Sequence, residues 1–95
     1  MKQPCVYMMA SKKGGVVYIG VTSDLIKRVY QHKSGEIDGF TADYFVKRLV
    51  WFELHETMES AISREKQLKN WHRPWKIGLI EQSNPQWRDL YPDIL

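Results

Sequence analysis

Two short runs rich in Val, Tyr, Ile and Met, residues 4–10 and 16–22, flank the segment Ser11-Lys12-Lys13-Gly14-Gly15. Paired glycines supply the positive φ angles that a tight turn needs, and the flanking residue types favour extended backbone, so these runs predict a β-hairpin. Thr22 or Ser23 can then cap a helix in which Leu25, Ile26, Val29 and Tyr30 recur as on one buried face, with Gly35 ending it. The stretch 35–44 mixes Gly, Ser, Asp and Thr and reads as a loop. Arg48 to His55 predicts a third strand. Thr57 starts a second helix reaching Asn70, with Met58, Ala61, Ile62 and Leu68 at helical spacing. Pro74 suits the first turn of a third helix over 74–82, stopped by Asn84-Pro85. The predicted order is β-β-α-β-α-α, an α+β fold with a three-stranded, antiparallel-containing sheet flanked by helices. Residues 1–95 are expected to form a single domain.

Such a short chain needs a core dense in large side chains, and 43% hydrophobic and 13% aromatic residues supply it. That composition excludes disorder as the main state. A lone cysteine, Cys5, excludes an internal disulfide and a Cys-based zinc finger, and His32, His55 and His72 show no metal-ligand spacing. The longest apolar run, Cys5 to Ala10, is too short for a membrane span, so a soluble cytoplasmic protein with no membrane partner is expected. Net charge is +3, unevenly spread: residues 1–35 carry six Lys/Arg against one acid, residues 36–60 two against six, and residues 61–95 six against four. The two basic segments would have to be brought together by folding to serve a polyanionic partner.

Three sets of residues stand out chemically. Asp24, Arg28 and His32 follow one another at four-residue intervals on the helix face opposite the apolar stripe, which reads most simply as a solvated face with an Asp24–Arg28 ion pair. Glu65 occupies a vacancy in the inward stripe of the second helix. An acid there must keep access to water, pair with a cation or ligate a metal. Tyr7 and Tyr18 lie on neighbouring strands, where core packing is the usual role.

Taken in order, Val6-Tyr7, Tyr18-Ile19-Gly20 after a Gly-containing turn, Arg28, His32 and a helical Glu65 resemble the GIY-YIG nuclease family. The resemblance spans nearly the whole chain. It is closest to small free-standing members, whose pattern is followed by Arg64-Glu65-Lys66-Gln67-Leu68-Lys69 and by Asn84-Pro85-x-Trp87-x-Asp89-Leu90. It implies a three-stranded antiparallel sheet flanked by helices and a divalent-metal-dependent DNA endonuclease, using Mg²⁺ or Mn²⁺, in DNA repair or processing. By the same resemblance Glu65 is the metal ligand, Arg28 neutralises charge on the phosphate, Tyr18 is the general base, Tyr7 supports it, and His32 assists as a competing base. Cys5 and Val6 depart from the motif's Gly and Ile, and Val21 stands where some repair-nuclease relatives carry Lys. The alternatives are a nucleic-acid-binding module without cleavage and a protein-interaction domain using the acidic segment 36–60. Trp71 and Trp75, at the break between the last two helices, are expected in the core, with stacking on exposed bases as the other role.

Overall fold

A computed structural model describes residues 2–37, 39 and 44–95. Strands β1 (Cys5–Ala10), β2 (Val17–Thr22) and β3 (Arg48–Leu54) form one antiparallel sheet in the order β2-β1-β3. Helix α1 (Leu25–Ser34) follows β2, α2 (Met58–Lys69) and α3 (Arg73–Ser83) follow β3, and a short α4 (Tyr91–Ile94) closes the chain. The predicted order is found, with α4 added. The predicted loop over 35–44 lies partly outside the described residues.

β1 is the middle strand, and all six of its residues are fully buried. Side chains alternate across a strand, so β1 builds two separate apolar layers. Val6, Met8 and Ala10 join Val17, Ile19 and Val21 of β2 beneath α2 and α3, where Ala61, Leu68, Ile80 and Trp87 complete the layer. Tyr7 and Met9 face the other way, toward Val29 of α1 and the C-terminal residues Leu90, Tyr91 and Ile94.

Two details of α1 differ from expectation. Its N-cap is Asp24, whose side chain accepts from the Lys27 amide at 3.3 Å, while Thr22 Oγ1 accepts from the Asp24 amide at 3.0 Å. Thr22 thus supports the cap and does not form it. The buried positions are Val29 and His32, whereas Ile26 and Tyr30 are exposed. The helix is turned relative to the face its aliphatic residues suggest, because the imidazole finds a polar partner inside. Asp24 pairs with Lys2 at 3.7 Å and not with Arg28. Gly35 ends α1 as expected, at φ 79°.

The tail is held by a polar clamp. Asn84 donates to Val50 and Arg88 carbonyls at 3.1 and 2.8 Å and accepts from the Arg88 amide at 3.0 Å. Asp89 accepts from the Leu49 and Tyr91 amides, each at 3.1 Å, and from Lys33. Trp87 adopts φ 55°, an unfavourable region for a bulky residue, and is held there by complete burial and an indole bond to Glu81 at 2.7 Å.

Candidate active site

Tyr7 faces Gly20 across the β1–β2 ladder, and Tyr18 pairs with Met9 two positions along, so the two tyrosines are diagonal neighbours on one face. Their ring centroids lie 6.2 Å apart. A Cβ at position 20 would sit 2.5 Å from Tyr7 Cζ and Oη. Gly20 therefore lets the Tyr7 ring lie across β2 and reach α1. There its hydroxyl meets His32 Nε2 at 3.0 Å. The Tyr18 ring packs against the same imidazole, centroid to centroid 5.3 Å, and the His32 and Tyr7 rings meet edge-on at 5.7 Å.

This cluster is buried unevenly. Tyr7 is 0% and His32 4% exposed, while Tyr18 and Arg28 are half-buried at its border. Burial, and then the positive charge of Arg28, pulls the His32 imidazole down to about 4, so the ring is neutral at pH 7. Burial, with Tyr18 adding to it, pushes the Tyr7 phenol far above its ordinary value, and Arg28 opposes this only in part. A neutral imidazole has one N–H. With Nε2 engaged by Tyr7, His32 Nδ1 is left buried without a hydrogen-bond partner, a loss of about 1–3 kcal/mol. Beside the start of α1, Arg28 also borders a hollow of about 160 Å³ lined with Lys2, Lys27, Thr22, Ser23, Asp24 and Gln31.

Glu65 arrives from a different layer. It lies between Ala61 and Leu68 on the inward stripe of α2, as the vacancy in that stripe predicts, and α2 packs on β1 and β2 from the side opposite α1. Its side chain is 15% exposed, and its carboxylate pairs with Lys69 at 3.3 Å. Tyr7, Tyr18, Arg28 and His32 are thus gathered by α1. Glu65 is carried by α2, the helix that covers β2, and β2 is an edge strand.

A divalent cation fits this donor chemistry in one way. Among the described residues no three His, Cys, Asp or Glu side chains converge, so an ion held at Glu65 would take most of its ligands from outside the chain. That suits a hard ion of the Mg²⁺ type, which retains waters and takes its remaining ligands from a substrate phosphate. Lys69 is the present partner of the same carboxylate.

Several candidates take structural roles. Asn84 is 6% exposed and commits its side chain to the tail clamp, and Asn70 is the C-cap of α2. Val21, at the position where some relatives carry Lys, packs into the apolar layer beneath α2. Cys5 is buried, and burial pushes its thiol up to about 11, which leaves it protonated and unreactive. Arg64 ties α2 to β3 by donating to Glu53 at 3.1 Å, and His55 bonds the same carboxylate at 2.8 Å. Lys69 is the partner of Glu65, and their four-residue spacing on one helix is the signal in the sequence for that pair. Trp71 packs against the core as expected, but Trp75 is 61% exposed.

Comparison with known proteins bears on the family and the fold. Residues 3–78 match the family described as the GIY-YIG catalytic domain. A UPF0213 protein of Haloquadratum walsbyi is 36% identical over 66 residues, covering 70% of this chain and 74% of that protein. One from Staphylococcus saprophyticus is 29% identical over 82 residues, covering 86% and 99%. The solution NMR structure of a UPF0213 protein from Bacillus halodurans superposes with a TM-score of 0.57 at 26% identity, covering 92% of each chain. The three-stranded antiparallel sheet with flanking helices is that neighbour's fold, and the chain belongs to the GIY-YIG nuclease family, among its small members.

Proposed function

We propose that this chain is a divalent-metal-dependent DNA endonuclease that hydrolyses phosphodiester bonds, in DNA repair or processing. The observation that carries the reading is the buried Tyr7–His32 bond beside half-buried Tyr18 and Arg28. An orphaned imidazole nitrogen and a buried phenol are costly for folding, and apolar side chains would fill the same space at less cost.

Each residue has a role consistent with its surroundings. Arg28, half-buried at the border, presents a guanidinium whose paired donors match phosphate oxygens. Tyr18 is the member of the tyrosine–histidine cluster open to water, so it can release its own hydroxyl proton to solvent, and the phenolate left behind would take the proton of an attacking water. His32 is enclosed, neutral and bonded to Tyr7, so it acts through Tyr7 by holding the cluster in position. Glu65 would hold the metal, Mg²⁺ or Mn²⁺, which when bound neutralises phosphate charge.

Purified protein should nick plasmid, flapped or single-stranded DNA when Mg²⁺ or Mn²⁺ is present. Arg28→Ala and Glu65→Gln should each lower the rate by about 100-fold or more without shifting thermal unfolding. Cleavage that survives EDTA or the Glu65 substitution would overturn the reading. A second reading, a DNA-binding module without cleavage, is favoured by the Glu65–Lys69 pair, which already occupies the carboxylate. DNA binding with no product on any substrate, metal present, would select it.

A further inference from the structure

Trp75 is the residue that the fold and the proposed chemistry both leave unused. It lies in the first turn of α3, is 61% exposed, and takes no part in either apolar layer. Yet it is firmly seated. Trp71 abuts its ring edge-on at 6.0 Å and His72 at 5.9 Å, while the Arg64 guanidinium lies 5.4 Å from the Trp71 ring. Arg73 pins this corner to the β1–β2 turn by donating to the Gly14 and Gly15 carbonyls at 2.9 and 2.6 Å.

The sequence leading up to it is mainly basic. Residues 64–76 contain Arg64, Lys66, Lys69, Arg73 and Lys76, with Glu65 as the only acid. Lys69 pairs with Glu65, and Lys76 Nζ reaches the Lys69 carbonyl at 3.5 Å. A chain of contacts therefore runs from the carboxylate proposed to hold the metal to the turn bearing Trp75. A rigid exposed indole among cations complements a polyanion with aromatic faces. A duplex hides those faces and a single strand offers them.

We infer that Trp75 is a stacking platform for an unpaired base of single-stranded DNA, with Lys69 and Lys76 beside its backbone. Resting on the nuclease reading, this makes the substrate class DNA with unpaired nucleotides next to the bond that is cut.

Binding is measured with Glu65→Gln protein, which separates it from cleavage, using labelled oligothymidylate and a blunt duplex of matched length. Trp75→Ala should weaken oligothymidylate binding by about 5- to 100-fold and leave duplex binding within about twofold, and Trp75→Phe should recover most of the loss. Lys76→Gln should lower the log–log salt slope for the single strand by about 0.7, a readout that remains if Trp75→Ala fails to fold. Equal losses on single strand and duplex, no loss at all, or no binding of either oligonucleotide would each overturn the inference. If the original chain cleaves nothing while Trp75-dependent single-strand binding persists, the nuclease reading fails and the platform stands. Cleavage with binding indifferent to Trp75 removes the platform and leaves the nuclease reading intact.

Discussion

Gly20 contributes by having no side chain. The ring of Tyr7 occupies the space above it, so Gly20→Ala would drive a methyl group against Cζ and Oη of a fully buried phenol. We expect a destabilisation of about 1–3 kcal/mol in urea unfolding, together with loss of nicking, because the ring must leave His32 to make room. Stability equal to that of the parent would show that the ring is not confined. His32 itself links folding to pH. Its folded value of about 4 lies below the 6.5 of a free imidazole, so between them the unfolded chain binds a proton that the folded chain refuses. The stabilisation is complete above pH 6.5 and is lost as pH falls toward 4, by about 3 kcal/mol. Urea unfolding across that window should show this slope, and His32→Phe should flatten it. The tyrosines, Arg28 and His32 were legible as an ordered set, but the orientation of His32 was not. Spacing within α1 ranks Ile26 and Tyr30 as inward, and only the Tyr7 hydroxyl across the sheet explains why an imidazole turns in instead.

Among the elements, the hairpin, β3, α2 and α3 could be read because their apolar periods and turn residues agree. α4 could not, since four residues carry no period, and what holds that segment is Asp89. Its carboxylate accepts from the Leu49 and Tyr91 amides and from Lys33, and the Leu90 amide donates to Leu49 O at 2.7 Å. Asp89→Ala should therefore cost about 2–3 kcal/mol and speed hydrogen exchange at the Leu90 amide well ahead of the β1 amides. Exchange at Leu90 unchanged by the substitution would mean that the tail docks by apolar contact alone. The motif Asn84-Pro85-x-Trp87-x-Asp89-Leu90 is thus accounted for by fastening the chain end to β3 and α1. The capping error at α1 has a similar origin: Thr22, Ser23 and Asp24 are all competent caps, and register with β2 decides among them.

At the scale of the molecule, the two basic segments do converge. Arg73 binds the turn that carries Lys12 and Lys13, and Lys13 reaches Gln86 at 3.1 Å. Charge counts along the chain indicated that such a meeting was needed, but not where it would occur, because these contacts join residues more than fifty positions apart. Trp75 escaped prediction for the opposite reason. Composition says that a small protein needs its tryptophans inside, and Trp51 and Trp87 comply, which leaves nothing local to mark the one that does not. The buried middle strand has a last consequence. It acts as a partition: Met8 and Ala10 serve the glue beneath two helices, while Tyr7, on the reverse side, belongs to the proposed site. Interiors packed this tightly transmit small changes of volume, so a methylene gained or lost in the glue would be felt as a misaimed hydroxyl behind it. Freedom to adapt to new substrates then belongs to the rim, where side chains can change without leaning on that wall.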